Sequence, residues 1–155
     1  MKSGAAAQYP TMSIEELKNL PVGEMAQENA VLFMWATVPL LPEALEVMKA
    51  WGFTYKTKLT WRKTMGLGMG FWFRGQIEDL LVGVRGKIKA FRCQRPNIIE
   101  AKTERHSQKP EEFRKLIEEA APELTDRIEL FARRRSDNWD AWGNEIPEEE
   151  RALVL

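Results

Sequence analysis

Ala30-Val31-Leu32-Phe33-Met34-Trp35-Ala36 is an unbroken apolar run, and it decides the fold class expected for this chain. A short continuous run of this kind is typical of a strand buried on both faces, as in a parallel sheet. Leu80-Leu81-Val82-Gly83-Val84 shows the same pattern, and a further strand is expected from Arg127 to Ala132. These segments predict a central, mostly parallel sheet.

Helical segments separate the strands. Ser13-Ile14-Glu15-Glu16 has the pattern of a capping box and predicts a short helix from about Ile14 to Asn19. Strands that alternate with helices predict an α/β three-layer sandwich, and no repeat or linker divides residues 1–155, which we expect to form a single domain. The other predicted helices are Leu41 to Trp51, with Leu41, Leu45 and Met48 in one stripe, and Pro110 to Ala120, with Phe113, Leu116 and Ile117 inward.

Tyr55 to Arg62 alternates strictly between two faces, which predicts a strand with one wet, basic face. A glycine-rich loop follows from Met65 to Gly75, and Asn97 to Ala101 is expected to be a short strand. Bases stack on aromatic rings while cations hold phosphates, so the interleaved residues of this region suit a flipped base or a single strand. An ordinary wet face beside the core is the alternative. The residues are Lys56, Lys58, Arg62, Lys63, Arg85, Lys87, Lys89, Arg92 and Arg95, with Trp61, Phe71, Trp72, Phe73 and Phe91.

Composition excludes several classes of protein. The 155 residues are 44% hydrophobic and 30% charged, as in a globular domain, and the net charge of zero argues against coating nucleic acid by bulk charge. Cys93 and His106 are the only residues of their types, so neither a disulfide framework nor a zinc site is expected. No apolar run approaches the ~20 residues that span a bilayer.

The last third of the chain has the order of a nucleotide-like cofactor site. Lys109-Pro110 opens a helix, whose free N–H groups favour an anion. Arg133-Arg134-Arg135 follows a strand, and Asn144-Glu145 can hold the hydroxyls of a ribose. Each element has a plain alternative, namely a helix start, a solvated charge run and a turn.

Several motifs occur together and in order, and they carry a resemblance to a known family. They are Tyr9-Pro10-Thr11-Met12-Ser13, Leu32-Phe33-Met34-Trp35, Trp51-Gly52-Phe53, Trp61-Arg62-Lys63-Thr64, Leu81-Val82-Gly83-Val84-Arg85-Gly86, His106-Ser107-Gln108-Lys109-Pro110, Glu129-Leu130-Phe131-Ala132-Arg133 and Trp142-Gly143-Asn144-Glu145.

From about Tyr9 to Ile146 the chain resembles the N6-adenine methyltransferases related to the eukaryotic messenger-RNA adenosine methyltransferase. The resemblance implies a Rossmann-like fold and S-adenosylmethionine (SAM) as methyl donor. It implies nucleic acid as substrate, DNA in preference to RNA, because bacterial and phage members act mostly on DNA. The expected setting is the cytoplasm of a bacterium or a phage-infected host cell.

The same resemblance implies roles for individual residues. Lys109 matches the lysine at the methionine end of SAM, and Arg133 and Arg135 match the positions at its sugar, although family members often have histidine in place of Arg135. Asn144 and Glu145 match the pair near the ribose and adenine of SAM. The positions that line the target-adenosine pocket are Tyr9, Trp35, Trp61 and Glu78.

The sequence departs from the family in one respect. The family's catalytic Asp-Pro-Pro-Trp motif, which grips the adenine amino group, does not occur in it. We therefore expect the strand that carries this motif to be missing, the catalytic residues to be unidentified, and activity to be weak or absent. A fragment of a longer protein, a decayed relative and a substitute catalytic group all remain open.

Loss of that strand would expose the Ala30–Ala36 edge, which predicts marginal stability or association into a homo- or hetero-oligomer. A non-catalytic subunit that binds nucleic acid or a partner is the rival hypothesis. A small-molecule methyltransferase is a weaker one.

Overall fold

A computed structural model describes residues 12–64, 72–89, 91, 93, 95–103 and 109–143. The chain divides into two compact units, Met1–Pro110 and Glu111–Leu155. The first unit contains α1 (Ile14–Lys18), α2 (Val22–Met25), β1 (Ala30–Ala36), a 3-10 turn (Val38–Leu40), α3 (Leu41–Ala50), β2 (Thr54–Lys63), β3 (Ile77–Arg85) and β4 (Ile98–Ala101). The second contains α4 (Glu111–Ala120), β5 (Ile128–Leu130) and β6 (Asp140–Trp142).

The sheet of the first unit has the order β1-β3-β2-β4. β3 pairs antiparallel with both β1 and β2, and the β2–β4 pair is parallel. The prediction of a mostly parallel sheet is therefore wrong for the described strands. β1 and β2 do run in the same direction with α3 between them, but β3 enters between the two strands in the opposite direction. The backbone N–H of Lys63 donates to the carbonyl of Gln76 at 2.9 Å, so the pairing with the β3 side of the sheet extends to the last residue of β2.

β1 is a strand where the apolar run predicts one, but its burial is lower than expected. Ala30 to Trp35 are half-buried and Ala36 is buried, because among the described strands β1 lies at the edge of the sheet. β3, between β1 and β2, is the strand buried on both faces. Successive side chains of a strand point to opposite faces, so the burial of both Leu80 and Leu81 shows that each face of β3 is covered.

α3 packs closely against β3. A Cβ atom added to Gly83 would lie 2.7 Å from Sδ of Met48, so a side chain at this position of β3 would require the Met48 side chain to move. Val47 and Met48 are the buried residues of α3, whereas Leu45, which the sequence places in the apolar stripe, is 36% exposed. Gly52, with φ +90°, lets the chain leave the helix in the left-handed conformation.

The capping box is confirmed at the start of α1. The backbone N–H of Glu16 donates to Oγ of Ser13 at 3.1 Å, and the backbone N–H of Ser13 donates to Oε1 of Glu16 at 3.4 Å. The indole N–H of Trp51 donates to the carbonyl of Leu17 at 2.8 Å, which joins α1 to the end of α3.

The second unit is smaller. α4 buries Phe113 and Leu116, as the sequence predicts, while Ile117 is half-buried. β5 and β6 form a parallel pair, and Ala141 of β6 is buried together with Ala132, which follows β5. Among the described residues, no helix has the length and apolarity that a membrane crossing requires. The Rossmann-like layering, the missing strand and the single domain stay predictions.

Truncation of β3 tests whether this strand is the core of the first unit. Leu81 is 0% exposed, so Leu81→Ala should lower the free energy of unfolding by about 2–5 kcal/mol through lost burial and a cavity. The same truncation at the partly exposed Leu45 should cost less than about 1 kcal/mol. Urea denaturation followed by circular dichroism measures both, and equal losses would contradict the assignment.

Candidate functional site

A buried carboxylate lies at the start of β3. Glu78 is 7% exposed, and it faces Trp61 of β2 in the strand register. The ammonium group of Lys63 lies 3.1 Å from Oε1 of Glu78, and that of Lys109 binds Oε2. A buried carboxylate is costly unless it is paired, so the two lysines are what allow this charge to remain beneath the surface.

Two tryptophans form the wall of this cluster. The Lys109 ammonium lies 5.1 Å from the ring centroid of Trp35 and 6.0 Å from that of Trp61, and the Lys63 ammonium lies 5.0 Å from Trp61. The two rings meet edge to face at 6.1 Å. Cations over indole faces are stabilised by the ring quadrupole. We call Glu78, Lys63, Lys109, Trp35 and Trp61 the Glu78 cluster.

The orientation of Trp61 is fixed from outside the cluster. Its indole N–H donates to the carbonyl of Ala101 at 2.9 Å, at the end of the parallel β2–β4 pair. The ring is itself buried, so its position follows from the pairing of two strands and leaves it no freedom to swing away.

The next residue, Asp79, is also buried but is satisfied in a different way. Its carboxylate accepts from the Lys58 ammonium at 2.9 Å and from the Thr60 hydroxyl at 2.7 Å, both on β2. Adjacent strand residues point to opposite faces, so Asp79 lies on the other side of the sheet from Glu78. Because both donors lie on the neighbouring strand β2, these contacts stabilise the pairing of β2 with β3.

The Glu78 cluster can accept further hydrogen bonds. Each carboxylate oxygen has capacity for a second donor beyond the lysine it already holds. The side chains of Lys63 and Lys109 are 29% and 30% exposed, so the cluster reaches solvent through its cations. A planar ligand that carries an amino group would find an acceptor, aromatic faces and positive charge together.

In the second unit, Arg114 of α4 joins two carboxylates. It binds Glu111 one turn earlier and Oε2 of Glu129 on β5 at 2.7 Å, and its guanidinium lies 5.9 Å from the ring of Trp139. Burial alone would lower the pKa of the Arg114 guanidinium, but the charges of Glu129 and Glu111 outweigh it, and the pKa is raised. The Trp139 indole N–H donates to Glu118 at 2.7 Å. This network holds α4 to the strands of its own unit.

An open cleft of about 470 Å³ lies beside that network, within the range of small-ligand sites. Its lining combines carboxylates, an amide, hydroxyls and two guanidinium groups. The lining residues are Thr125, Asp126, Arg127, Arg135, Ser136, Asp137, Asn138, Trp139 and Asp140.

The structure brings together four of the residues singled out in the sequence, namely Trp35, Trp61, Glu78 and Lys109. Arg135 lines the cleft of the second unit, and Arg133 is half-buried in that unit without being part of the lining. Tyr9, Asn144 and Glu145 lie outside the described residues. The ligands predicted for all of these residues stay predictions.

Lys63 is the member of the cluster that sequence reasoning missed. The sequence suggested only a role among the cations of a wet face. Strict alternation contains the better signal, because residues two apart on a strand share a face, so Lys63 lies on the side of Trp61. The pairing with Glu78 required the register between β2 and β3, which the sequence does not reveal.

The MT-A70 family model matches residues 1–145 of this chain. The chain is 37% identical over 149 residues to the type II methyltransferase M.MunI of a Mycoplasma species. This match covers 94% of the chain and 63% of that protein. It is 31% identical over 151 residues to the N(6)-adenosine-methyltransferase MT-A70-like protein of Drosophila melanogaster, covering 89% of this chain and 24% of that protein. It is 28% identical over 147 residues to the N(6)-adenosine-methyltransferase MT-A70-like of Arabidopsis thaliana, covering 89% of this chain and 21% of that protein. The chain thus spans less than two thirds of the length of these relatives.

Arg114→Met tests the ion-pair network of the second unit. The loss of two charge-assisted contacts should lower the free energy of unfolding by about 2 kcal/mol, because Glu111 and Glu129 keep their charges without the guanidinium between them. Lys115→Met, an exposed position on the same helix, should change it by less than about 0.5 kcal/mol. Urea titrations would refute the role of Arg114 if both variants unfold alike.

Proposed function

The chain belongs to the MT-A70 family, and on that premise we propose that it is part of an N6-adenine methyltransferase that acts on nucleic acid, with DNA as substrate in preference to RNA. The observation that carries the proposal is the Glu78 cluster. A buried carboxylate between two ammonium groups and two indole rings suits a planar base with an exocyclic amino group.

The chemistry of the reaction explains why such residues are useful. The lone pair of the adenine amino nitrogen is delocalised into the ring, so this nitrogen is a poor nucleophile. A carboxylate that accepts a hydrogen bond from one of the amino N–H groups increases the electron density on the nitrogen, and aromatic rings beside the base fix its plane. In the proposed site Glu78 accepts from the amino group while Trp35 and Trp61 position the ring.

The lysines have a second purpose in this proposal. They hold the Glu78 carboxylate in one orientation, and each uses a different oxygen. They also leave the cluster with two positive charges against one negative charge, which favours a ligand attached to phosphates.

SAM would supply the methyl group from its sulfonium when bound. Lys109, Arg133, Arg135, Asn144 and Glu145 are the residues proposed to hold it. The chemistry of the second unit's cleft fits part of such a molecule, since carboxylates can accept from ribose hydroxyls and guanidinium groups can bind a carboxylate.

The preference for DNA rests on the pattern of similarity. The relative named a type II methyltransferase matches at 37% identity and shares 63% of its own length. The Drosophila and Arabidopsis relatives, named N(6)-adenosine-methyltransferases, match at 31% and 28% over smaller shares of their length.

Exchange of Glu78 tests the proposed base site. The wild-type protein should bind an oligonucleotide with one adenine about tenfold more tightly than the same strand with purine, which lacks the 6-amino group, because one charge-assisted hydrogen bond is lost. Glu78→Gln should bring this ratio towards one.

Asp79→Asn is the matched control, since it removes the neighbouring buried carboxylate from the opposite face. It should lower stability and leave the adenine-to-purine ratio unchanged. Fluorescence anisotropy measures the ratios, and a Glu78→Gln protein that still distinguishes adenine from purine would refute the assignment.

Methyl transfer and SAM binding can be measured separately on the 155-residue polypeptide, whose sequence contains no Asp-Pro-Pro-Trp. We expect it to transfer radiolabelled methyl from SAM to an adenine-containing duplex weakly or not at all. Calorimetry should nevertheless detect SAM binding that Lys109→Ala weakens at least about tenfold and the exposed Lys87→Ala leaves unchanged. Rapid methylation would disprove the need for the motif, and no SAM binding would favour a non-catalytic subunit.

A further inference from the structure

Two aromatic side chains on the β2–β3 hairpin have no place in the core. Trp72 is 94% exposed and Phe73 is 84% exposed. The chain has six tryptophans, and the other five are buried or half-buried. Burial of aromatic rings normally stabilises a fold, and these two neighbouring rings contribute no such stabilisation. Their exposure indicates a contact surface.

The backbone at this pair is also unusual. Trp72 has φ +66°, a left-handed conformation that bulky side chains rarely adopt. Strained residues of this kind persist where surrounding structure or function requires them. The conformation supports a specific presentation of the ring.

The charge of the hairpin indicates the kind of partner. The whole chain has zero net charge, yet the segment 54–77 has no aspartate or glutamate. Its cations are Lys56, Lys58, Arg62, Lys63 and Arg74. Lys58, Arg62 and Lys63 also pair with Asp79, Glu100 and Glu78, but their side chains keep 40%, 43% and 29% of their surface exposed. A basic hairpin with exposed rings at its turn has the two features of single-strand binding surfaces, namely cations for the phosphates and flat faces for the bases.

The pair is also close to the Glu78 cluster along the same hairpin. The backbone N–H of Lys63 donates to the carbonyl of Gln76 at the end of the strand pair. Phe73 lies three positions before Gln76 in the chain, a reach of at most about 11 Å. Rings at this distance from a base site are within range of neighbouring nucleotides.

We infer that Trp72 and Phe73 stack on unpaired bases beside the target adenine, so that the β2–β3 hairpin grips a single-stranded or locally opened stretch of nucleic acid. The inference rests on the proposed function and adds the surface that holds the flanking nucleotides. Stacking tolerates any base, so this surface contributes affinity without reading sequence.

The test uses a labelled oligothymidine with one central adenine and measures its affinity by anisotropy. The double variant Trp72→Ala with Phe73→Ala should bind at least about tenfold more weakly, and Trp72→Phe, which keeps an aromatic face, should stay within about threefold of the wild type. The salt dependence should keep its slope, because no cation is removed. The exposed apolar residues Val38 and Leu40 provide the control, and alanine at both should leave affinity unchanged.

Unaltered affinity in the Trp72/Phe73 double variant overturns the inference, as does a wild-type protein that binds no single strand. Unchanged affinity together with altered sedimentation would assign the pair to a protein interface instead. The two proposals can also fail separately. If the double variant binds more weakly but the wild-type protein binds the adenine and purine strands equally well, the adenine methyltransferase proposal is refuted and the stacking surface stands.

Discussion

Two adjacent carboxylates, Glu78 and Asp79, enter β3 where the strand becomes buried, and the first unit depends on pairing both of them. Because neighbouring strand residues point to opposite faces, the two charges cannot share a partner. Glu78 forms ion pairs with Lys63 and Lys109, and Asp79 accepts hydrogen bonds from Lys58 and Thr60. β2 must therefore supply basic or polar groups on both of its faces, which explains why a strand beside the core is so rich in lysine.

This constraint shows what the sequence could and could not predict. The apolar run at Ala30–Ala36 correctly indicated a strand, because continuous apolarity reflects contact with the core. It could not give the direction of the neighbouring strand, since the insertion of β3 is a pairing between distant segments. The capping box of α1 was predictable because its partners are three residues apart.

The candidate site also contains residues that the sequence singled out and one residue that it did not. The resemblance singled out Trp35, Trp61, Glu78 and Lys109, and the structure brings these four together. Lys63 was overlooked because its value lies in the register that puts Trp61 opposite Glu78, and a single sequence contains no sign of that register. Strict alternation along β2 places Lys58 and Lys63 on opposite faces, but the carboxylate that each of them binds appeared only in three dimensions.

The asymmetry between the two carboxylates argues that Glu78 is the one available for function. Asp79 takes both of its donors from β2, so strand pairing alone completes its shell. Glu78 takes one donor from β2 and the other from Lys109, thirty-one residues away along the chain and beyond β4. A carboxylate needed only for stability would be satisfied more economically by local partners, as Asp79 is. Recruitment of a distant, partly exposed lysine over two indole rings keeps the carboxylate ionic, oriented and close to solvent, which is the combination that an acceptor for an incoming amino group requires.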